Sequence, residues 1–283
     1  MNILLTGCTG FIGSNILNRF INSGKIYVIL RNNRNNKLFT KKNIKIINFK
    51  NYDGLNKKLS KIKAEVVIHA ATHYAKSHKQ KDIKQFSNSN ILFANIILEN
   101  LKNMNTEKFI NFSTVWEDYK GIKDNYFNLY SAYKNAFSKI LNFYKKNLKY
   151  IKFYELMISD TFGLNDKRPK LINVLRKNYK RNIKTNIVSK NLYINLLNVE
   201  DITNAVYLIN KKKIEPGKYL LKNKRDINVN EIIKKLNKNN NKKIKVKWLS
   251  SKVIKEKSLP YKKLKSWKPR KSNISEIINI IKN

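Results

Sequence analysis

Gly7, Gly10 and Gly13 follow the apolar run at 2–6 without a gap. They open a stretch in which Ile12, Ile16, Leu17, Phe20 and Ile21 recur at helical spacing. A strand entering a helix through such a turn has few uses. The first glycine permits the tight turn, the second lets backbone approach a pyrophosphate, and the third allows helix and strand to pack closely. Unpaired amides at the helix N-terminus attract the anion. Gly7, Thr9, Gly10, Phe11, Ile12 and Gly13 are therefore candidate ligands of a dinucleotide. Glycines at these offsets also serve plain turns, so the placement between first strand and first helix carries the reading.

The rest of the chain keeps that rhythm. Apolar runs at 27–30, 44–48, 66–69, 109–113 and within 150–159 read as strands. Helices are predicted over about 87–101 and from about 129, the latter carrying Tyr130, Lys134, Phe137, Leu141 and Tyr144 along one side. Strands alternating with helices predict an α/β fold, a Rossmann-type doubly wound parallel sheet. After Gly163 the rhythm breaks. Residues 1–163 are expected to form the NAD(P)-binding domain, with 193–211 returning to it. Residues 164–192 and 212–283 are expected to form a smaller α/β substrate lobe, the strand near 218–221 included. Its last residues are free to pack back on the main domain. Asp201 is expected to cap a helix over 202–210.

Composition narrows the class. In 283 residues, 42% hydrophobic content supplies a core, which excludes a disordered polycation. Lys+Arg 60 against Asp+Glu 18 leaves a net charge of +42. Such a surplus ordinarily suggests nucleic acid. Here the cations are scattered and interleaved with asparagine, as at 32–42 and 237–247, and no zinc-finger or RNA-binding signature accompanies them. Nucleic acid is not the expected partner. A single cysteine, Cys8, leaves no internal disulfide and fits a reducing compartment. No basic leader and no run of 18 apolar residues is visible, so a cytoplasmic protein without a membrane partner is expected.

The end of the second strand bears on cofactor choice. An acid there holds a ribose 2′-hydroxyl, whereas arginine accommodates a 2′-phosphate. The chain has Arg31 and Asn32 with no acid nearby, which favours NADP(H) and leaves NAD(H) open. Tyr130 and Lys134 stand four apart and share a helix face. An ammonium beside a phenol is expected to lower its pKa and suit it to proton exchange during hydride transfer. Ser113 and Thr114 end the fifth strand, at the sheet edge where ligands of such folds bind. His69 is expected to pack or hydrogen-bond below the cofactor. His73, Lys76 and His78 fall on the following loop and are candidate sugar or diphosphate ligands. Arg168, Lys170 and Arg176 are candidate diphosphate partners. No convincing metal site is present, and Trp116, Trp248 and Trp267 are expected to be packing groups.

Taken together, these motifs resemble an extended short-chain dehydrogenase/reductase of the NAD(P)-dependent epimerase/dehydratase family, whose members act on nucleotide-activated sugars. The likeness runs from the glycine turn through 66–71, Asn90, Ser113-Thr114, the Tyr130/Lys134 pair, 160–163 and 199–201 to Trp267-Lys268-Pro269. The resemblance implies that Tyr130 is the proton donor or acceptor and that Thr114 is its hydroxyl partner. It makes Lys134 the activator and a ligand of the nicotinamide ribose. Ala70, Ala71, Thr72 and Asn90 would line the cofactor cleft, and Ser113 and Asp160 would join the substrate side. The sugar 4,6-dehydratases carry Asp-Glu after the threonine, where this chain has Val115-Trp116, with Glu117 and Asp118 two positions late. The epimerising cysteine–histidine pair of the 3,5-epimerase/reductases has no counterpart, since Cys8 lies in the glycine turn. What remains is 4-keto reduction or C4 epimerisation. The stretch Asn111-Phe112-Ser113-Thr114 looks most like the CDP-abequose or CDP-paratose synthase type. The implied reaction is NADPH-dependent reduction of a CDP- or dTDP-linked 4-keto-deoxyhexose for a surface polysaccharide, the alternative a C4 epimerase with tightly bound NAD. The resemblance also implies a homodimer through helices near 88–101 and 130–146, for which Phe93, Ile97, Phe137 and Leu141 are candidate contacts.

Overall fold

Apolar runs of four to seven residues become strands buried on both faces, because helices cover both sides of the sheet they form. The computed structural model describes residues 1–31, 37–238 and 242–283. It begins β1 (Ile3–Thr6), α1 (Phe11–Phe20), β2 (Ile26–Leu30), β3 (Ile44–Asn48), α2 (Tyr52–Leu59) and β4 (Val66–His69). Then come α3 (Gln80–Phe86), α4 (Phe93–Glu99), β5 (Lys108–Thr114), α5 (Leu129–Asn147) and β6 (Lys152–Ile158). The chain continues through β7 (Asp160–Phe162), α6 (Leu171–Arg181), β8 (Thr185–Ile187), β9 (Leu192–Ile194), β10 (Leu196–Asn198) and α7 (Val199–Lys211). It closes with β11 (Gly217–Leu221), β12 (Ile227–Asn228), α8 (Val229–Lys238), β13 (Val246–Trp248), β14 (Ile254–Lys255) and α9 (Ile274–Lys282).

Seven parallel strands in the order β11-β6-β5-β4-β1-β2-β3 make the main sheet. The order reverses between β1 and β4, which opens a crevice at their carboxyl ends. Leu5, Ile68, Ile110 and Leu156 point to the face covered by α1 and α7. Leu4, Val67, Phe109 and Phe153 point to the other, against α2, α4 and α5. A second core joins α6, α8 and α9 beside short strand pairs. The fold is the expected doubly wound α/β sheet.

Several expectations need correction. Gly217–Leu221 belongs to the main sheet, not the smaller lobe: Tyr219 and Leu221 are buried with the first core, and β11 runs beside β6. The return to the main body starts later than 193, since β9 pairs with β12 and β14. The C-terminal segment divides: Leu264 and Trp267 pack back into the core of the main sheet and Lys263 bridges to β11, whereas Ile274, Ile277, Ile280 and Ile281 complete the second core. Asp201 does not cap α7. Asn198 does, accepting from Glu200 N, while the Asp201 carboxylate takes Arg270 N, Lys271 N and the Ser272 hydroxyl. The helix expected at 87–101 begins at Gln80 and passes through a π-helical turn at Ser87–Leu92, which points both Ser89 and Asn90 inward. Phe93, Ile97, Phe137 and Leu141 are buried against the sheet and offer no contact to a partner.

Candidate active site

The glycine turn forms the floor of the crevice. Gly7 has φ +69°, and a Cβ there would lie 2.6 Å from the backbone of Ala70 and Ala71. A Cβ on Gly13 would lie 2.1 Å from the Gly7 carbonyl oxygen, so only glycine lets α1 start this close to β1. Gly10 stands at the N-cap and no side chain caps it, which leaves the first amides of α1 facing the crevice. A cavity of about 530 Å³ extends over this turn, lined by Gly7, Thr9, Gly10, Arg31, Ala70, Ala71, Thr72, His73, Ser89 and Phe93 among others. Ile29, Phe49 and Phe93 give it apolar walls, and Phe49 stacks on Phe93 at 6.0 Å. Arg31 donates to Ser89 Oγ at 2.7 Å from the end of β2. Asn32 lies outside the described residues. Anion-seeking amides, a slot for a planar base and a cation at the ribose end fit a dinucleotide.

Gly10, Ala70 and Thr72 also border a second cavity of about 200 Å³. Phe11, Ile12, Gly13, Tyr74, Thr114, Trp116, Tyr130, Asp160, Arg168 and Lys170 line it. Asn128 caps α5 by accepting from Ser131 N at 3.0 Å, and so sets the helix phase that turns Tyr130 into this cavity. The Thr114 hydroxyl stands there too, 3.3 Å from Trp116 N. Lys134 lies one turn further along α5, is buried and lines neither cavity, and the charges of Glu117, Glu155 and Lys218 act on it.

The expected lowering of the tyrosine pKa is reversed. Burial, then the charge of Glu117, pushes the Tyr130 phenol above its ordinary value, with Thr72 and Arg168 pulling the other way. Burial also pulls Lys134 down, while Glu117 and Glu155 hold it up. The phenol therefore keeps its proton at neutral pH.

Other candidates separate clearly. His69 accepts or donates with Thr6 Oγ1 at 3.0 Å among Phe93, Phe109 and Phe137, and burial followed by Lys134 drops its pKa to about 3. It is a neutral packing group. Asn90 does not line the cleft; it holds the loop that does, accepting from His73 N at 2.7 Å and from Thr72 Oγ1 at 3.1 Å. His73 touches the larger cavity, with its Nε2 tied to Asp82 at 3.0 Å. Lys76 and His78 are exposed on the loop outside both cavities. Ser113 is turned away from the cavity and donates a short hydrogen bond to Glu117. Among the described residues no three His, Cys, Asp or Glu side chains gather as metal ligands would.

Trp116 is a wall of the smaller cavity rather than a buried packing group, and Tyr74 meets Tyr130 edge-on at 5.0 Å. Neither stood out in the sequence as a site residue; the position of Trp116 two residues beyond Thr114 was the available signal. Lys170 sits over the Trp116 ring at 4.4 Å and pairs with Asp160 at 2.6 Å. Arg168 lies over the Phe11 ring and forks onto Asp166, with contacts of 2.8 Å to each oxygen. Its remaining reach goes to Thr161 Oγ1 at 2.7 Å. Arg176 donates to the Asp166 carbonyl.

Comparison with known proteins agrees with this arrangement. Residues 3–222 match the model of the NAD dependent epimerase/dehydratase family. A CDP-abequose synthase of Yersinia pseudotuberculosis is 27% identical over 219 residues, covering 74% of this chain and 73% of that protein. The UDP-glucose 4-epimerase structure from Thermotoga maritima aligns over 99% of this chain and 98% of its own, with TM-score 0.78 and 18% identity. The UDP-glucuronic acid 4-epimerase of Bacillus cereus covers 100% and 99%, with TM-score 0.80 and 18% identity. No helix among the described residues is long and apolar enough to cross a membrane. A glycine turn at the switch point, Thr114 and Tyr130 at one cavity, and a family match over 3–222 lead to one assignment: the chain is an enzyme of the NAD dependent epimerase/dehydratase family.

Proposed function

We propose that the enzyme reduces the C4 ketone of a nucleotide-linked 4-keto-deoxyhexose, carried on CDP or dTDP, with NADPH. The observation that carries this reading is the composition of the smaller cavity. Thr114 and Tyr130 share it with Trp116, which stands where a dehydratase of this family needs an acid, while Glu117 is turned to the protein interior. Likeness to CDP-abequose synthases supports the substrate class.

A bound nicotinamide supplies the hydride. The Thr114 hydroxyl donates to the ketone oxygen, and Tyr130, protonated at neutral pH, gives that oxygen its proton as charge develops there. Lys134 holds positive charge behind the phenol. The first amides of α1 hold the pyrophosphate, and Arg31 favours a 2′-phosphate. Lys170 and Arg168 line the smaller cavity and are the cations suited to pair with a substrate diphosphate there.

The rival reading is a C4 epimerase, which uses the same Thr114, Tyr130 and Lys134 and returns the hydride to the sugar. Whole-chain fold likeness to 4-epimerases favours it. Incubating purified enzyme with NADPH and a CDP- or dTDP-linked 4-keto-deoxyhexose separates the two. One NADPH oxidised per sugar is expected, and Tyr130→Phe should bind both ligands while turning over roughly 10²–10⁴-fold more slowly. Interconversion of two 4-hydroxy sugars without net cofactor consumption establishes the epimerase instead.

A further inference from the structure

A hydroxyl that donates to a substrate oxygen has to present its hydrogen to the cavity and engage its lone pairs elsewhere. Thr114 is the last residue of β5, and the chain passes at once into a 3₁₀ turn over Val115–Gly121. Its Oγ1 accepts from two backbone amides of that turn, Trp116 N at 3.3 Å and Glu117 N. These bonds occupy the lone pairs and leave the hydroxyl hydrogen for the cavity that Thr114 lines. The aim of the hydroxyl therefore depends on what holds the turn against the strand end.

The Glu117 side chain holds it. Its Oε1 accepts from Thr114 N at 3.3 Å and, through a short bond, from the Ser113 hydroxyl. Thr114 and Glu117 thus bond each other reciprocally, in the pattern of a capping box. The other oxygen, Oε2, takes Lys218 Nζ at 3.1 Å from edge strand β11, and the same ammonium reaches Glu155 Oε1 on β6 at 2.9 Å. Glu117 is fully buried and lines neither the cofactor cavity nor the smaller one. A buried ion pair is a weak source of stability, because desolvation offsets much of the attraction. What this one secures is geometry: three donors converge on one carboxylate, and two of them belong to the end of β5.

We propose that Glu117, anchored by Lys218, is a positioning residue that keeps the Thr114 hydroxyl aimed at the reacting sugar oxygen without touching substrate itself. The inference rests on Thr114 holding that oxygen, which reduction and epimerisation share. It also gives Ser113 a place: turned from the cavity, it is one bond of the brace. The Thr114 bond strengthens as charge develops on the oxygen, so the brace acts on the transition state more than on the bound substrate. Glu117→Gln weakens it in a defined way. An amide has one acceptor oxygen and a nitrogen that only donates, so it satisfies Lys218 or the strand end and not both. Lys218 keeps its pair with Glu155, and no buried charge is orphaned.

The test is a cycle of Thr114→Ala, Glu117→Gln and the double variant, read as kcat and KM in the reaction the wild-type enzyme performs, below the unfolding temperature of each. Thr114→Ala is expected to lower kcat roughly 10²–10³-fold, as loss of one such donor does. Glu117→Gln alone is expected to lower kcat by up to roughly 10²-fold, the scale of a misplaced group, with both KM values nearly unchanged. Beside Thr114→Ala the Glu117 change should cost nothing further, because it acts through that hydroxyl. Losses that multiply overturn the proposal and make Glu117 an independent contributor. A lowered unfolding temperature with unchanged kcat overturns it too, and leaves a structural ion pair. Full activity in Thr114→Ala alone overturns the reading of Thr114 and the proposal with it, whereas a wild-type enzyme that consumes no NADPH removes the reduction reading only. Should Glu117→Gln fail to fold, Ser113→Ala carries the same cycle: it removes one bond of the brace, lines neither cavity, and should show a smaller loss that also vanishes beside Thr114→Ala.

Discussion

A phenol four residues from a lysine is ordinarily read as one made acidic, and Tyr130 is the reverse. Burial and the Glu117 charge outweigh every group that lowers its pKa. A raised phenol is the proper state for a proton donor in reduction, because the proton must be present when the hydride arrives. The pairing was legible in the sequence, since i and i+4 share a helix face. Its electrostatics were not, since they depend on Glu117. Counted along the strand, that acid comes two positions late; folded, the 3₁₀ turn returns it to Ser113. The place of Arg31 at the crevice was legible for a simpler reason: a strand end fixes where its side chain stands. Arg31→Ala is expected to weaken NADPH binding roughly 10–100-fold and leave NADH nearly unchanged, the loss of one charge-assisted contact. Titration of both reduced cofactors checks it, and equal losses for the two would remove the 2′-phosphate argument.

Elements that pack on both sides announce themselves, and elements that only complete a neighbour do not. β1, β4 and β5 carry continuous apolar runs because each is covered above and below. β11 is an edge strand whose Lys218 pairs with buried Glu117 and Glu155, and that lysine obscured its place in the main sheet. The Asp201 clamp was hidden by distance in sequence: an acid in the first turn of a helix looks like a cap, and its partners lie about seventy residues on. This carboxylate ties the segment after Trp267 to α7, and the Trp267 indole donates to the Asp201 carbonyl at 2.9 Å. Asp201→Ala leaves Arg270 N, Lys271 N and the Ser272 hydroxyl without their acceptor. The expected cost is about 3 kcal/mol, the worth of one or two hydrogen bonds to a charged group. Calorimetric unfolding measures it, and a change within about 0.5 kcal/mol would place the clamp among ordinary surface features.

For the molecule as a whole, the unresolved tension is between a surface carrying a net charge of +42 and assembly with a second copy. The expected pairing through 88–101 and 130–146 loses its first set of contacts, which face the sheet. The outer side of the same helices still presents apolar groups: Leu92 is 43% exposed and Phe143 61%, with Ile96 and Ile140 half-buried between core and surface. Two helices per subunit with such faces are suited to a four-helix contact, and we propose a homodimer built on them. Each protomer brings the same excess of cations, so long-range repulsion opposes the contact and must be screened. The Debye length falls from about 30 Å at 0.01 M salt to about 8 Å at 0.15 M. Dimerisation should therefore strengthen as salt rises, opposite to a contact held by ion pairs. Sedimentation at micromolar concentration is expected to show monomer at the lower ionic strength and dimer at the higher, while Phe143→Asp keeps the monomer at both. A monomeric wild-type mass at both salts would remove the dimer and leave Phe143 an exposed ring set edge-on to Tyr144.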